Sequence, residues 1–232
     1  GSAAHGEVRA YCEASSVGRG YCYHGMGHGY LDSLVLSKGL WGDLERMVEA
    51  GIGRCEQILP AVYARVECAS GVFNGAANAM SARQYGLSYD AIEPLIFCSR
   101  QHADYRKKCH MEIGSGHLFE KRWEEPAQID FISRITDEVA RAAIIEALAM
   151  TRTRQRSDRL DVGELSSFCR TFSGKREVGA CMLGTLVELH LSGERTQAKT
   201  RVDAFCEAFA SSREREACVE LQAYYTGGRV DR

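Results

Sequence analysis

His24 and His28 stand four residues apart in Cys22-Tyr23-His24-Gly25-Met26-Gly27-His28-Gly29. On a helix that spacing puts both imidazoles on one face, with Asp32 continuing it. Neutral imidazoles so placed can chelate a single metal ion. A repeated pattern supplies a third imidazole. Cys22 leads through Gly25 to His28, Cys68 through Gly71 to Asn74, and Cys109 through Gly114 to His117, the polar residue each time three places after the glycine. Asn74 and Asn78 are the only asparagines in the chain, so their occurrence at this repeated place carries weight. If the three segments stack as neighbouring helices, His28, Asn74 and His117 come from equivalent positions and converge on one point.

The expected chemistry is that of a metal centre, with His24, His28 and His117 as ligands. Three histidines suit zinc or copper, whereas two histidines with Glu112 or Asp32 resemble the facial set of non-haem iron. Met26, Met80 and Met111 would favour copper if any reached the ion. Glu112 is the candidate proton-transfer group, although five residues separate it from His117 and take it off that stripe of a regular helix. Asn74 and Asn78 would orient a substrate or bound water, and Asp32 and His110 would support the ligands from behind. Haem is a further alternative, held without covalent links, since no Cys-x-x-Cys-His motif is present.

Three glycines within one helical segment cost up to ~1 kcal/mol each relative to alanine. Their use here implies that another helix or a ligand must come close to the backbone. Gly114, Ser115 and Gly116 before His117, and Gly75, Ala76 and Ala77 after Asn74, repeat the device.

The elements that must position these residues are legible in the cysteines. Cys12, Cys55 and Cys98 recur at a constant step of 43, and Cys169 and Cys206 follow at a step of 37. Pairing each with the next cysteine gives Cys12–Cys22, Cys55–Cys68, Cys98–Cys109, Cys169–Cys181 and Cys206–Cys218, which uses all ten. The interval after Cys98 is too long for one unit. Phe131-Ile132 leads through Thr136-Asp137 to Ile144 with the spacing of the last two pairs, so a unit with isoleucines in place of cysteines belongs there. Thr136-Asp137 and Ser211-Ser212 read as helix N-caps. Ile129, Ile132, Ile135 and Val139 recur at helical spacing, and no long run alternates apolar with polar residues. The fold expected is all-α, an array of about six antiparallel helical hairpins, solenoid-like, most of them stapled by an internal disulfide. Residues 1–126 hold the three hairpins with the site and residues 127–232 the three that complete the core, in one continuous domain.

Cysteine pairing on this scale implies an oxidising compartment, hence a secreted, periplasmic or lumenal protein. Gly1-Ser2 reads as a remnant of processing, so a leader or anchor upstream is compatible with the sequence. No segment approaches the ~18 apolar residues of a membrane span. The formal charge of −2 and the lack of a basic face set nucleic acid aside. Arg152, Arg154, Arg156 and Arg159 form one dense basic cluster, expected in a solvated connection after a helix ending near Met150.

Two functions follow. The first is an extracytoplasmic metalloenzyme, an oxidase, oxygenase or hydrolase, acting on a small-molecule or peptide substrate. The second is a non-catalytic, disulfide-braced helical-repeat module that holds a peptide or protein partner in its groove, with Tyr21, Tyr23, Tyr30, Tyr85 and Tyr89 as aromatic contacts. Phosphate-binding loops and Gly-x-Ser-x-Gly elbows are absent from the sequence.

Overall fold

With three prolines in the whole chain, little interrupts helix propagation, and every regular element among the described residues is helical. The computed structural model describes residues 2–14, 18–120, 124–156, 161–191 and 195–227. No strand occurs among the described residues. The helices pair along the chain into six hairpins: α1 (Ser2–Ala14) with α2 (Arg19–Lys38), α3 (Leu44–Ile58) with α4 (Val62–Ser81), and α5 (Pro94–Ser99) with α6 (Ala103–Cys109). From α6 the chain continues through one π-helical turn, His110–Gly114, into α7 (Ser115–Glu120). Then α8 (Glu125–Ser133) pairs with α9 (Glu138–Gln155), α10 (Val162–Cys169) with α11 (Lys175–Leu191), and α12 (Arg195–Glu207) with α13 (Ser212–Gly227).

Local chemistry sets the helix starts. Asp43 takes up the amide of Arg46, Asp137 those of Val139 and Ala140, and Asp161 those of Gly163 and Glu164. Ser211 accepts from the amide of Glu214 at the head of α13. Each caps amides that the first turn leaves without a helical partner.

All five expected disulfides form, each joining the two helices of one hairpin: Cys12–Cys22, Cys55–Cys68, Cys98–Cys109, Cys169–Cys181 and Cys206–Cys218, with Cα separations of 5.4–5.9 Å. The α8/α9 hairpin has the isoleucine pair instead, and both Ile132 and Ile144 are fully buried. Two buried isoleucines thus stand where its neighbours carry a crosslink.

The chain divides into two compact units, residues 1–128 and 129–232. In the first, α2 lies against α4 at very short range. A Cβ on Gly27 would overlap the carbonyl oxygen of Cys68, and one on Gly71 would overlap that of His24. Below this seam a core of Leu31, Val35, Met47, Val72, Phe73 and Met80 is buried. The second unit repeats the device between α9 and α11, where a Cβ on Gly184 would overlap the carbonyl of Glu146.

Helix α9 runs to Gln155 rather than stopping near Met150. Its last turn is held by ion pairs, Arg154 with the buried Glu188 at 2.8 Å and Arg152 with Glu164 at 3.4 Å. Arg156 also pairs with Glu164. Arg152 further covers the ring of Phe168 at 4.5 Å. These arginines staple the second unit instead of lying in a solvated connection; Arg159 lies outside the described residues. No described helix is long and apolar enough to cross a membrane.

Candidate functional site

The glycine-lined seam between α2 and α4 brings the polar residues of the first unit together. His24 and His28 rise from α2 as a half-buried pair whose Nε2 atoms are 3.2 Å apart. Their rings meet edge to face, with centroids 5.0 Å apart. A Cβ on Gly75 would stand 3.2 Å from His28 Nδ1, so the His28 ring rests beside the residue that follows Asn74. Gly75 leaves room for that ring.

Opposite them, α4 and the π turn hold one carboxylate firmly. Ser70 Oγ donates to Glu112 Oε1 at 2.9 Å and Asn74 Nδ2 donates to Oε2 at 2.7 Å. Asn78 Nδ2 donates in turn to Asn74 Oδ1 at 3.1 Å, fixing which way the Asn74 amide points. Ser70 is buried, and Glu112 and Asn74 are half-buried. One turn back along both helices, Lys108 Nζ lies 3.1 Å from Glu67 Oε1.

Burial pushes the His24 imidazole below its ordinary value of 6.5, and the neighbouring His28 and Lys108 act in the same direction. The charges of Glu112 and Glu67 oppose this without reversing it. His24 is therefore neutral at pH 7, the form that can accept a proton or coordinate a metal.

The π turn decides which side chain faces α4. His24 and Ser70 both stand two places after the second cysteine of their hairpins. In the third hairpin that place belongs to Met111, but the wider π turn carries one extra residue and Glu112 comes opposite Ser70 instead. Ser115 Oγ donates to the Met111 carbonyl, and His110 is buried inside the same turn.

The remaining candidates lie around this centre. His117 is half-buried on α7, its ring 5.7 Å from that of the buried Tyr89. A Cβ on Gly116 would overlap the Tyr89 hydroxyl, which accounts for the slimness beside His117. Asp32 is exposed and receives a long contact of 3.5 Å from the Tyr85 hydroxyl. Among the described residues, no three His, Cys, Asp or Glu side chains are gathered into a group that holds an ion unaided. Met26 Sδ is buried 3.7 Å from Cys12 Sγ, and Met80 belongs to the core. Of the tyrosines, Tyr23, Tyr30 and Tyr89 are core residues, while Tyr21 is exposed.

Sequence reasoning missed Ser70, Glu67 and Lys108. The signal was available in part, because Ser70 precedes Asn74 by four residues and occupies the place of His24 in its own hairpin. No protein family, no characterised protein and no solved structure matches the chain.

Proposed function

We propose that the chain is an extracytoplasmic metal-dependent hydrolase whose ion is held by His24 and His28 and whose general base is Glu112. The observation that carries this reading is the 3.2 Å between the two Nε2 atoms. Two nitrogens each ~2.0–2.1 Å from a tetrahedral zinc lie about 3.3 Å apart, so the pair already has the spacing of adjacent ligands. Without an ion, one neutral imidazole donates its Nε2–H to the other. Nitrogen and oxygen donors, with Met26 and Met80 committed elsewhere, favour zinc over copper. Axial haem ligands approach iron from opposite faces, whereas these imidazoles converge from one helix, which weighs against haem.

A zinc ion held by His24 and His28 would supply a water of lowered pKa there. Ser70 and Asn74 hold Glu112 with both oxygens oriented, so this carboxylate would be the group to accept a proton from such a water. Asn78 locks the Asn74 amide, the seam glycines keep α2 close against α4, and the charge of Glu112 is felt at His24. Extracytoplasmic placement rests on the five disulfides, which need an oxidising compartment.

Elemental analysis after dialysis against zinc tests the reading. The parent is expected to retain about one zinc per chain, His24→Ala and His28→Ala to lose it, and His117→Ala to keep it. Zinc retained equally by the parent and the double variant His24→Ala/His28→Ala would sink the proposal.

A second reading, a module that docks a protein partner, is favoured by a groove of about 580 Å³ elsewhere on the first unit. Trp41 and Ile96 stand exposed at its rim, above Leu44, Leu87 and Phe97. That reading needs no ion, so the zinc measurement separates the two.

A further inference from the structure

Between α2 and α3 lies a cavity of about 380 Å³ whose walls share no residue with the site at His24 and His28. Helix α2 lines it with Tyr30, Ser33 and Leu34. Helix α3 lines it with Ala50, Gly53, Arg54 and Gln57, which recur at intervals of three and four and so share one face. Its size falls at the lower end of the ~300–1,000 Å³ that small-molecule sites occupy.

Two observations mark this cavity as a place for a ligand. The first is Arg54, half-buried in its wall. Among the described residues its hydrogen-bond partner is the neutral Gln57, whose Oε1 accepts from Arg54 Nη1 at 3.3 Å, and no carboxylate pairs with it. A guanidinium partly withdrawn from water is stabilised by an anion beside it, and the cavity wall supplies no Asp or Glu. The second is Gly53. Two residues earlier, a Cβ on Gly51 would stand 2.8 Å from Val72 Cγ1, so packing against α4 requires that glycine. Around a Cβ on Gly53 nothing lies within 4 Å, and yet Gly53 is half-buried, unlike the exposed Gly25 and Gly29. A glycine inside a helix costs up to ~1 kcal/mol relative to alanine, and this one keeps the cavity open.

The rest of the lining fits an anion with an apolar body. Ser33 brings a hydroxyl, and Gln57, which bonds Arg54 through its oxygen, brings two amide N–H donors. Burial raises the Tyr30 phenol above its ordinary value of 10, and the charge of Arg54 acts the other way without reversing it, so the phenol is protonated at pH 7. Leu34 and Ala50 supply apolar wall. One guanidinium balances one negative charge. A carboxylate carries one and meets the guanidinium fork with two parallel bonds, whereas a phosphate monoester carries about 1.5–2. We propose that this cavity binds a small organic acid, its carboxylate on Arg54 and its hydrocarbon part against Leu34 and Ala50 in the space beside Gly53. The site needs no metal ion and stands independently of the reading of His24 and His28.

Benzoate titrated into the full chain and followed by amide NMR tests this, with benzamide and inorganic phosphate as comparison probes. Benzoate should shift the amides of Ser33, Gly53, Arg54 and Gln57 in one saturable transition. Benzamide, of the same shape without the charge, should bind at least about tenfold more weakly, and Arg54→Gln should weaken benzoate by a similar factor. Gly53→Leu, which fills the cavity and improves helix propensity, should abolish the shifts while its urea midpoint stays at or above that of the parent. Arg100→Gln, which removes an exposed guanidinium outside this cavity, should leave benzoate binding unchanged. Benzoate that leaves these amides unmoved at millimolar concentration, or an Arg54→Gln variant of unchanged affinity, overturns the inference. Phosphate binding tighter than benzoate overturns the assignment of a carboxylate.

Discussion

At the scale of single residues, the candidate site is a chain of neutral donors fixed on one acid, with an imidazole pair on the neighbouring helix. Ser70 donates its hydroxyl and Asn74 one amide N–H to Glu112, and Asn78 donates to Asn74, so the acid cannot rotate without breaking bonds inside a half-buried wall. His24 is the titratable group on which this arrangement acts most clearly. Its folded pKa lies below 6.5 because burial disfavours the imidazolium. The sign of the pH dependence follows. As pH falls through 6.5 the unfolded chain takes up a proton at this position while the folded chain does not, so stability is full above 6.5 and is lost as pH falls toward the folded pKa. In metal-free protein the His24 ring proton, followed by NMR, should titrate with a midpoint below 6.5, and the urea midpoint should fall over the same range. His24→Gln should remove that part of the fall. A His24 midpoint at or above 6.5 would mean that the ring is more solvated, or more strongly paired with Glu112, than the structure has it.

At the scale of elements, glycines separate two demands that the sequence presents as one. Gly25, Gly27 and Gly29 look alike in the sequence, and all three read there as room for close approach. Only Gly27 meets α4; around the Cβ positions of Gly25 and Gly29 there is nothing within 4 Å. Gly25→Ala and Gly29→Ala should therefore each stabilise the protein by up to ~1 kcal/mol through helix propensity. Gly27→Ala and Gly71→Ala drive a methyl into the backbone of the facing helix and should cost about 1–3 kcal/mol or more, measured by urea unfolding. If Gly27→Ala stabilised the chain as Gly25→Ala does, the α2/α4 seam would be wrong. The hairpins themselves were readable because each cysteine marks register, and Ile132 and Ile144 could be placed by the same spacing. Ser70 was readable only in part: it holds the place of His24 in its own hairpin, but a serine between alanine and glycine shows no chemistry until its partner Glu112 is known. The partnership of Glu112 was not readable, because a π turn inserts one residue without a sequence mark and shifts every facing position beyond it. The corner at Trp41 and Tyr85 was equally hidden. There Arg83 and Tyr85 both adopt positive φ, and the Gly42 amide donates to the Tyr85 carbonyl, a contact between distant turns that no local pattern announces.

At the scale of the whole molecule, chemistry and crosslinks are distributed unevenly. His24, His28, Glu67, Ser70, Asn74, Lys108 and Glu112 all belong to the unit of residues 1–128, and so do three of the five disulfides. The core of that unit, from Cys12 to Ile113, is continuous within it. The second unit has its own seam at Gly184 and its own ion pairs, but Glu146 stands where His24 does, two places after the second position of its hairpin. A carboxylate at that place has no imidazole partner four residues on, where Met150 takes the position of His28. The array thus repeats its scaffold twice over and its site once. If so, a chain ending at Glu124, before α8 begins, should form its three disulfides and bind zinc with the affinity of the full chain. Mass spectrometry of the non-reduced fragment and a competition titration against a chromogenic chelator would measure this. Three correct bridges with no zinc uptake, from a parent that does take it up, would show that the second unit completes the site and that the first unit alone only presents its ligands.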